Sequence, residues 1–409
     1  MFENIIGQER AIDQLRQQVS QQQLPPAILL HGPQYSGKLS SALELARVLS
    51  CKAGEGAWSC GCAACVQHRT LDHPLTLMTG SRYFVQDIAA CAEALKKAPM
   101  RATVYLFLRS VQKLLRRFDP VLWQGEENRL TKSMTQLETI RDALDGIAPE
   151  VDLPPPDKLD KRIQQILEAA ARIMAARGSD NIPIHTIRSI AYWSHLSSGD
   201  SHKVVILENA ERMHDSSRNA LLKVLEEPPA GLTFVLLSGN RAAIPATIRS
   251  RVRPYAFSER DGDQTKIVLR KIFRETEPRY HSIRHYIMQN AYLSRTGFDM
   301  LARQFLELVL AEQNEQPAQR LETIAAELNE AANKDGYRYF FEELSAACRR
   351  ILQREQGQPF QASLPLSLLQ GWQRELVRHQ RYSESFYMRG DLVLQSLWFA
   401  MRKQHAKVH

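Results

Sequence analysis

The chain has 409 residues, enough for about three domains of ordinary size. Its hydrophobic content of 44% and charged content of 24% are typical of a globular protein, and no apolar run approaches the roughly 18 residues that a membrane span needs. The net charge of +8 favours an anionic partner such as nucleic acid. The first residues lack the basic and apolar regions of a secretion signal. These features argue against a membrane protein and predict a cytoplasmic one.

The first 80 residues alternate signals for helices and strands. The polar stretch 10–23 carries apolar residues at helical spacing and predicts a surface helix, which two prolines then end. The short apolar runs 27–30 and 75–78 predict buried parallel strands, and 40–49 predicts a helix between them. This alternation is typical of an α/β domain.

From residue 81 to 178 the apolar residues recur at helical spacing, interrupted by the proline-rich linker 152–156. Strand signals return at 204–207 and 234–237, and the chain beyond 264 is again a series of amphipathic helices. The pattern predicts an α/β unit that is interrupted by a helical insertion and followed by helical modules.

The insertion carries a basic stripe. Arg109, Lys113 and Arg116 share one face of a predicted helix because they are spaced i, i+4, i+7. Such a stripe suits phosphate contacts with DNA. The alternative is a solvated face on a helix that packs against the α/β domain, and both interpretations stand at this point. Tyr105, Phe107 and Trp123 are expected in the core.

A phosphate-binding loop follows the first predicted strand. The spacing G-x-x-x-x-G-K lets backbone N–H groups wrap a phosphate while the lysine neutralises its charge. Its signature residues are Gly32, Ser36, Gly37 and Lys38. The next position should supply a hydroxyl for magnesium, but Leu39 stands there, and Ser40 is rotated by about 100° around the helix. We expect either a loop that binds ATP or a retained loop with weak or no catalysis.

The acidic end of the strand 204–207 is also unusual. A phosphate-loop ATPase needs a carboxylate there for the metal and a second acid to orient water. Glu208 can reach a metal with its longer side chain, but Asn209 is neutral and cannot act as a base. Hydrolysis is therefore not expected.

Four cysteines form a compact cluster: Cys51, Cys60, Cys62 and Cys65. Four thiolates bind zinc tetrahedrally and leave no open position, which is typical of a structural site. Free thiols are the alternative interpretation. The nearby His68 and His73 are predicted to be loop residues.

Two longer motifs carry a family resemblance. Residues 216–229 read SSRNALLKVLEEPP, and 245–251 read PATIRSR with Val252 where a Ser-Arg-Cys motif has its cysteine. Together with the opening Ile6-Gly7-Gln8, the phosphate loop and the cysteine cluster, they resemble the gamma/tau and delta-prime subunits of the bacterial DNA polymerase III clamp loader, which are AAA+ proteins. The resemblance covers 1–80 and about 180–257, and the stretch 81–178 has no counterpart in it.

The resemblance implies a role for several residues. Ile6, Gly7 and Gln8 would lie near the adenine pocket. Arg251 would act in trans as an arginine finger on ATP bound by an adjacent subunit, because its planar fork stabilises charge on the transferring phosphate. One sensor would lie near Ser238 and a second at Arg295.

The resemblance also implies a domain organisation. The AAA+ domain would comprise 1–80 and 179–257, with a zinc knuckle at 51–65 and a helical insertion at 81–178. A helical lid would follow at 258–325 and a C-terminal helical collar at 326–409.

Three functions are open on this basis. The first is a delta-prime-like subunit, impaired as an ATPase, that supplies the arginine finger and helps to load the sliding clamp on primed DNA. Its partners would be the other loader subunits, the clamp and the DNA. The second is an active gamma/tau-type ATPase of the same loader. The third is a non-replicative scaffold that keeps the fold to bind partners.

Overall fold

The computed structural model divides the chain into two compact units, Met1–Ile287 and Met288–His409. It describes residues 1–80, 84–176, 181–197, 199, 201–276, 280, 282–291, 297–311, 317–332, 336–353, 364–385 and 389–407. Within these ranges, no helix combines the length and the apolar character that crossing a membrane requires.

The first unit is built on a five-stranded parallel sheet in the order β2-β3-β4-β1-β5. The strands are β1 Ala27–His31, β2 Thr76–Thr79, β3 Lys203–Leu207, β4 Leu232–Ser238 and β5 Arg253–Ala256. Alternate residues of the central strands enter two different apolar clusters, one on each face of the sheet. The predicted α/β class and its four predicted strands are confirmed.

The sequence did not reveal β5. This strand lies at the edge of the sheet, contains Pro254 and exposes two of its four residues. Proline is tolerated at an edge because no neighbour needs its missing N–H. A short polar strand of this kind has no apolar run to mark it.

Eleven α-helices lie wholly within the described part of this unit. They are α1 Glu9–Ser20, α2 Lys38–Leu49, α3 Ala63–Thr70, α4 Phe84–Lys97, α5 Arg101–Leu115, α6 Glu127–Leu144, α7 Pro156–Ala176, α8 Ile184–His195, α9 Asp215–Glu226, α10 Ala246–Arg249 and α11 Gly262–Ile272. The predicted insertion is helical, with α4 to α7 lying inside it. Between α5 and α6 the chain forms two short 3-10 turns, Arg116–Phe118 and Pro120–Trp123.

The basic stripe of α5 faces the α/β domain. Arg109 donates to the carbonyls of His68 and Arg69 at 2.9 and 2.8 Å, and Arg116 donates to those of His73 and Thr76 at 2.8 Å each. Burial lowers the pKa of Arg109 to about 10. The two arginines tie α5 and the turn after it to main-chain carbonyls of the α/β domain, so they form neither a free phosphate-binding face nor a solvated one.

The three aromatic residues of the insertion differ in burial. Phe107 lies in the core as predicted. Trp123 is half-buried and stacks on Phe118, with ring centroids 5.6 Å apart. Tyr105 is half-buried, and the Arg101 guanidinium lies 5.9 Å from its ring centre.

The second unit is helical in its described part. Helix α12 Ile283–Ala291 spans the boundary, and α13 Phe298–Leu310, α14 Pro317–Ala332, α15 Gly336–Gln353, α16 Leu366–Ser385 and α17 Gly390–His405 follow. Trp372 of α16 is fully buried, and its indole N–H donates to the carbonyl of Met401 on α17 at 3.1 Å. The limits of the predicted lid and collar stay predictions.

Candidate functional site

The phosphate loop connects β1 to α2, as its spacing predicts. Gly32 has φ of 145°, and a Cβ there would lie 2.0 Å from the carbonyl oxygen of Phe257, so only glycine fits. Gly37 has φ of 101° and precedes the first residue of α2. The Lys38 ammonium donates to the carbonyl of Gly32 at 2.7 Å and reaches the buried Ser36 hydroxyl at 3.4 Å. The loop thus has the backbone of a phosphate site.

The residues after the lysine do not offer a metal ligand. Leu39 is buried in an apolar cluster with Ile28 and Leu43, while Ser40 is exposed. Leucine at this position therefore packs into the core of the domain instead of facing a phosphate.

Arg260 bridges the predicted adenine side and the phosphate loop. Its Nε donates to the carbonyl of Ile6 at 3.1 Å, and its Nη1 donates to that of Tyr35 at 2.5 Å. Its Nη2 lies so close to Gly37 that a Cβ there would be 2.7 Å away. Burial lowers the pKa of Arg260. The sequence analysis missed this residue, because its partners lie more than 200 positions away in the chain.

The segment Ile6-Gly7-Gln8 also meets the chain after β5. The Gln8 side chain is buried and exchanges hydrogen bonds with the backbone of Ser258, donating to its carbonyl and accepting from its N–H at 2.8 Å each. Gly7 has φ of 70°, and a Cβ there would lie 2.9 Å from the Gln264 side chain. The structure thus brings the predicted adenine-side residues, the phosphate loop and residues 258–264 together.

Glu208 lies at the acidic end of β3, where the sequence predicts it, but its carboxylate pairs with Arg117. Both side chains are buried, and Arg117 comes from the first 3-10 turn after α5. Asn209 follows in the left-handed conformation, with φ and ψ both 50°. No local pattern marks Arg117 in the sequence, because 91 positions separate it from Glu208.

In the predicted sensor region, Ser238 forms hydrogen bonds with the backbone of a residue close to it in the chain. The buried Ser238 hydroxyl donates to the carbonyl of Asn240 at 2.9 Å and accepts from its N–H at 3.1 Å. Nearby, the Glu211 carboxylate accepts from the N–H of Gly239 at 3.1 Å. Arg295 lies outside the described residues.

Arg251 lies just after α10, at the surface. Its side chain is 34% exposed and forms an ion pair of 2.6 Å with Glu226, which is 51% exposed at the end of α9. It also donates to the carbonyl of Thr247 at 2.9 Å. The guanidinium is oriented by these contacts and remains accessible from outside the chain.

The four cysteines of the predicted knuckle meet between α2 and α3. Their sulfur atoms all lie within 4.8 Å of one another, and those of Cys51 and Cys60 are 3.7 Å apart. Tetrahedral zinc with bonds of about 2.3 Å needs sulfurs roughly 3.8 Å apart. Backbone N–H donation, led by Cys65, lowers the pKa of Cys62 to about 6, whereas burial raises the pKa of Cys65 to about 12. A metal requires the thiolate form of both. The donor set and its geometry therefore fit zinc.

A buried arginine supports this cluster. Arg47 donates to the Cys65 sulfur at 3.1 Å, to the carbonyl of Ala57 at 2.9 Å and to the Glu44 carboxylate at 2.6 Å. Burial opposes the charge of Arg47, but the Glu44 carboxylate outweighs it, and the pKa of the arginine is raised. A cation beside the thiolates offsets part of their negative charge.

Fold, loop and cysteine cluster define an α/β protein with a parallel sheet, a loop of the phosphate-binding spacing and a candidate zinc knuckle. The protein-family model described as DNA polymerase III, delta subunit, matches residues 7–115 and 147–261, more than half of the chain. The chain therefore belongs to this family, and the predicted resemblance to clamp-loader subunits is confirmed.

Individual relatives match over short segments. DNA polymerase III subunit delta' of Yersinia pestis is 40% identical over 77 residues, which are 18% of this chain and 22% of that protein. Subunit delta' of Haemophilus influenzae is 41% identical over 59 residues, 14% of this chain and 18% of that protein. Subunit tau of Salmonella typhimurium is 36% identical over 73 residues, 18% of this chain and 11% of that protein. The matched segments thus span about a fifth or less of these relatives.

A solved structure of a DNA polymerase III gamma subunit-related protein from Thermotoga maritima is 18% identical and covers 56% of this chain and 81% of that one, with a TM-score of 0.32. At that score the likeness bears on neither fold nor function.

The family match includes both ends of the predicted insertion, so the part of 81–178 that lies outside it is 116–146.

Proposed function

We propose that the chain is a delta-prime-like subunit of the DNA polymerase III clamp loader. It would not hydrolyse ATP, and it would supply Arg251 to ATP bound on an adjacent subunit. Its partners would be the other loader subunits, the sliding clamp and primed DNA, in the cytoplasm. Family membership supports the assembly, and the residues of the phosphate site support the division of labour.

This proposal rests on a contrast between the groups that would bind magnesium within the chain and the arginine that would act on a neighbouring subunit. Within the chain, Leu39 packs in the core and Glu208 is paired with Arg117, so the groups that would hold magnesium are otherwise engaged. Arg251, by contrast, lies at the surface, where a neighbouring subunit can meet it. A subunit that donates a finger and does not turn over ATP needs this combination.

Arg260 adds a second obstacle to nucleotide. Its guanidinium crosses from Ile6 to Tyr35 and lies against Gly37, and a nucleotide that uses both segments would have to displace it. We therefore expect the isolated chain to hydrolyse ATP negligibly. A turnover near 1 s⁻¹, at the low end of ordinary phosphoryl transfer, would instead favour the gamma/tau-type alternative. The intact spacing of the Gly32–Lys38 loop is the observation that supports that alternative.

The arginine finger is tested in the reconstituted loader. Arg251→Ala should slow the neighbouring ATP site by about 10³-fold, the lower range for losing such a finger, and Arg251→Lys should restore little because lysine lacks the planar fork. The total rate falls less, since one site among several is affected.

Arg249→Ala is the matched control, because Arg249 is an exposed arginine at the end of α10, two residues away. It should leave the rate unchanged. Normal turnover at every site with Arg251→Ala in a fully assembled complex would support the scaffold alternative.

A further inference from the structure

The ion pair between Arg117 and Glu208 joins the helical insertion to the acidic end of β3. The Arg117 side chain is 1% exposed and the Glu208 side chain 7% exposed, so both charges are removed from water. Burying two charges is costly, and removing one partner of a buried pair strands the other charge. The pair is therefore part of the internal construction of this unit rather than a chance surface contact.

The turn that carries Arg117 is itself fixed. The guanidinium carbon lies 5.5 Å from the centre of the buried Phe84 ring. The carbonyl of Arg117 accepts from the Trp123 indole N–H at 2.8 Å, and the Asp119 carboxylate accepts from the N–H of Val121 at 3.1 Å. The last two contacts hold the backbone of the turn, and the guanidinium itself lies between the Phe84 ring and the Glu208 carboxylate.

The same turn is anchored on both sides of the ion pair. Leu122 lies in the apolar cluster that contains Leu207, the residue before Glu208. On the other side, Arg116 donates to the carbonyl of Thr76 in β2 at 2.8 Å. The N–H of Glu208 in turn donates to the carbonyl of Thr79 at 2.9 Å. Two strands and the turn thus meet at one carboxylate.

We propose that the turn 116–123 uses the Glu208 carboxylate as its docking site, with the Arg117 guanidinium as an internal cation in place of the divalent metal. A metal could bind Glu208 only by displacing this buried guanidinium and releasing the turn, and stranding a buried charge is costly. The acid would then serve the stability of the domain rather than catalysis.

The turn belongs to the stretch 116–146, which the family model does not match. The stretch therefore brings its own cation to a family domain. The proposal rests on the proposed function only in treating Glu208 as the metal-side acid, and it is independent of the arginine finger.

Thermal unfolding of the full chain tests the docking role. Arg117→Met should lower the Tm by about 5–15 °C, since breaking a buried pair strands the remaining charge. Glu208→Gln should also lower the Tm, and the double variant should recover most of the Arg117→Met loss. Should Arg117→Met not fold, Arg117→Lys, which keeps the charge, and Glu208→Gln carry the test.

The matched control is Arg109→Met. Arg109 also anchors the insertion, but it donates to carbonyls instead of a carboxylate. The decrease in Tm caused by Arg109→Met should therefore add to that caused by Glu208→Gln, and combining the two substitutions should recover none of it. A purely catalytic acid behaves differently, because its removal usually stabilises a protein or leaves it unchanged. An unchanged or raised Tm for Glu208→Gln would overturn the proposal.

Titration with Mn²⁺ alone, followed by electron paramagnetic resonance, tests the replacement of the metal. The wild-type protein and Glu208→Gln should bind the same amount of Mn²⁺, because no Mn²⁺ site should depend on Glu208. A Glu208-dependent Mn²⁺ site in the wild type would overturn the proposal. Because both experiments use the isolated chain, their outcome is separate from that of Arg251→Ala in the assembled loader.

Discussion

At the scale of single residues, the phosphate loop keeps the groups that shape its backbone and lacks those that bind a metal. Gly32 and Gly37 both have positive φ, and a side chain at either position would meet a neighbour closer than 3 Å. Leu39, in contrast, has become part of the apolar core. The position where a phosphate-loop ATPase has a metal-binding hydroxyl contributes to folding in this chain, so placing a hydroxyl there should cost stability.

We predict that Leu39→Thr destabilises the first unit by about 2–4 kcal/mol, because it leaves a cavity and buries a hydroxyl. Urea unfolding measures this cost. The substitution alone should not start ATP turnover, since Asn209 still offers no base. Combined with Asn209→Glu, it is the variant in which some turnover can return.

Leu39→Met is the matched control for this substitution, because it keeps the volume and should cost less than about 1.5 kcal/mol. Turnover near 1 s⁻¹ by Leu39→Thr alone would contradict the view that both defects matter.

The residues of the site were predictable from the sequence to the extent that local spacing defines them. The loop glycines, Lys38 and the cysteine cluster have partners within a few positions, so a motif reveals them. Arg117 and Arg260 could not be predicted, because their partners are 91 and more than 200 positions away. An isolated arginine gives no sign of such a partner.

At the scale of elements, apolar periodicity located β1 to β4 and the helices of the insertion, because burial on one face or both leaves a pattern. It failed at β5, a short edge strand with two exposed residues, which lacks such a pattern. It also failed for the orientation of α5, since a basic stripe looks the same whether it meets DNA or main-chain carbonyls.

One of the two histidines near the cysteine cluster also differs from the prediction. His73 lies in the loop between α3 and β2, as the sequence predicts, whereas His68 lies within α3. Both are buried, and their rings stack with centroids 4.1 Å apart. Burial, with the neighbouring His73 and Arg109, lowers the pKa of His68 to about 3, and burial also lowers that of His73. The stack is therefore neutral in the folded protein at neutral pH.

This stack should make the first unit sensitive to acid. The unfolded chain takes up a proton at His68 near pH 6.5, which the folded chain resists until about pH 3. The unfolded state therefore binds more protons in this window, and stability falls as the pH falls through it. In urea titrations between pH 7 and 5, His68→Phe should reduce the slope of unfolding free energy against pH, by up to about 1.4 kcal/mol per pH unit.

Zinc content must be measured at each pH in that experiment, because acid also protonates cysteine ligands. A His68→Phe slope equal to that of the wild type, at equal zinc content, would contradict the prediction.

At the scale of the whole molecule, the cysteine cluster joins segments that are distant in the chain. Arg47 connects it to α2, the helix that begins at Lys38. Glu3 accepts from the N–H of Trp58 inside the knuckle at 3.0 Å, which ties down the start of the chain. Arg109 connects α3 to the insertion. A metal that fixes the knuckle would therefore support the packing of much of the first unit.

We predict one zinc ion per chain, and a structural role for it. Chelation should lower the Tm of the first unit on the order of 10 °C, because the metal binds the folded state alone and its loss leaves four clustered thiols and Arg47 without their organising centre. Elemental analysis of protein purified under reducing conditions measures the stoichiometry. Cys62→Ala should abolish it, whereas Cys91→Ala, at a buried cysteine of α4 outside the cluster, should leave one zinc per chain. Protein without zinc, or with a Tm that chelation does not change, would favour free thiols that are held together by the fold.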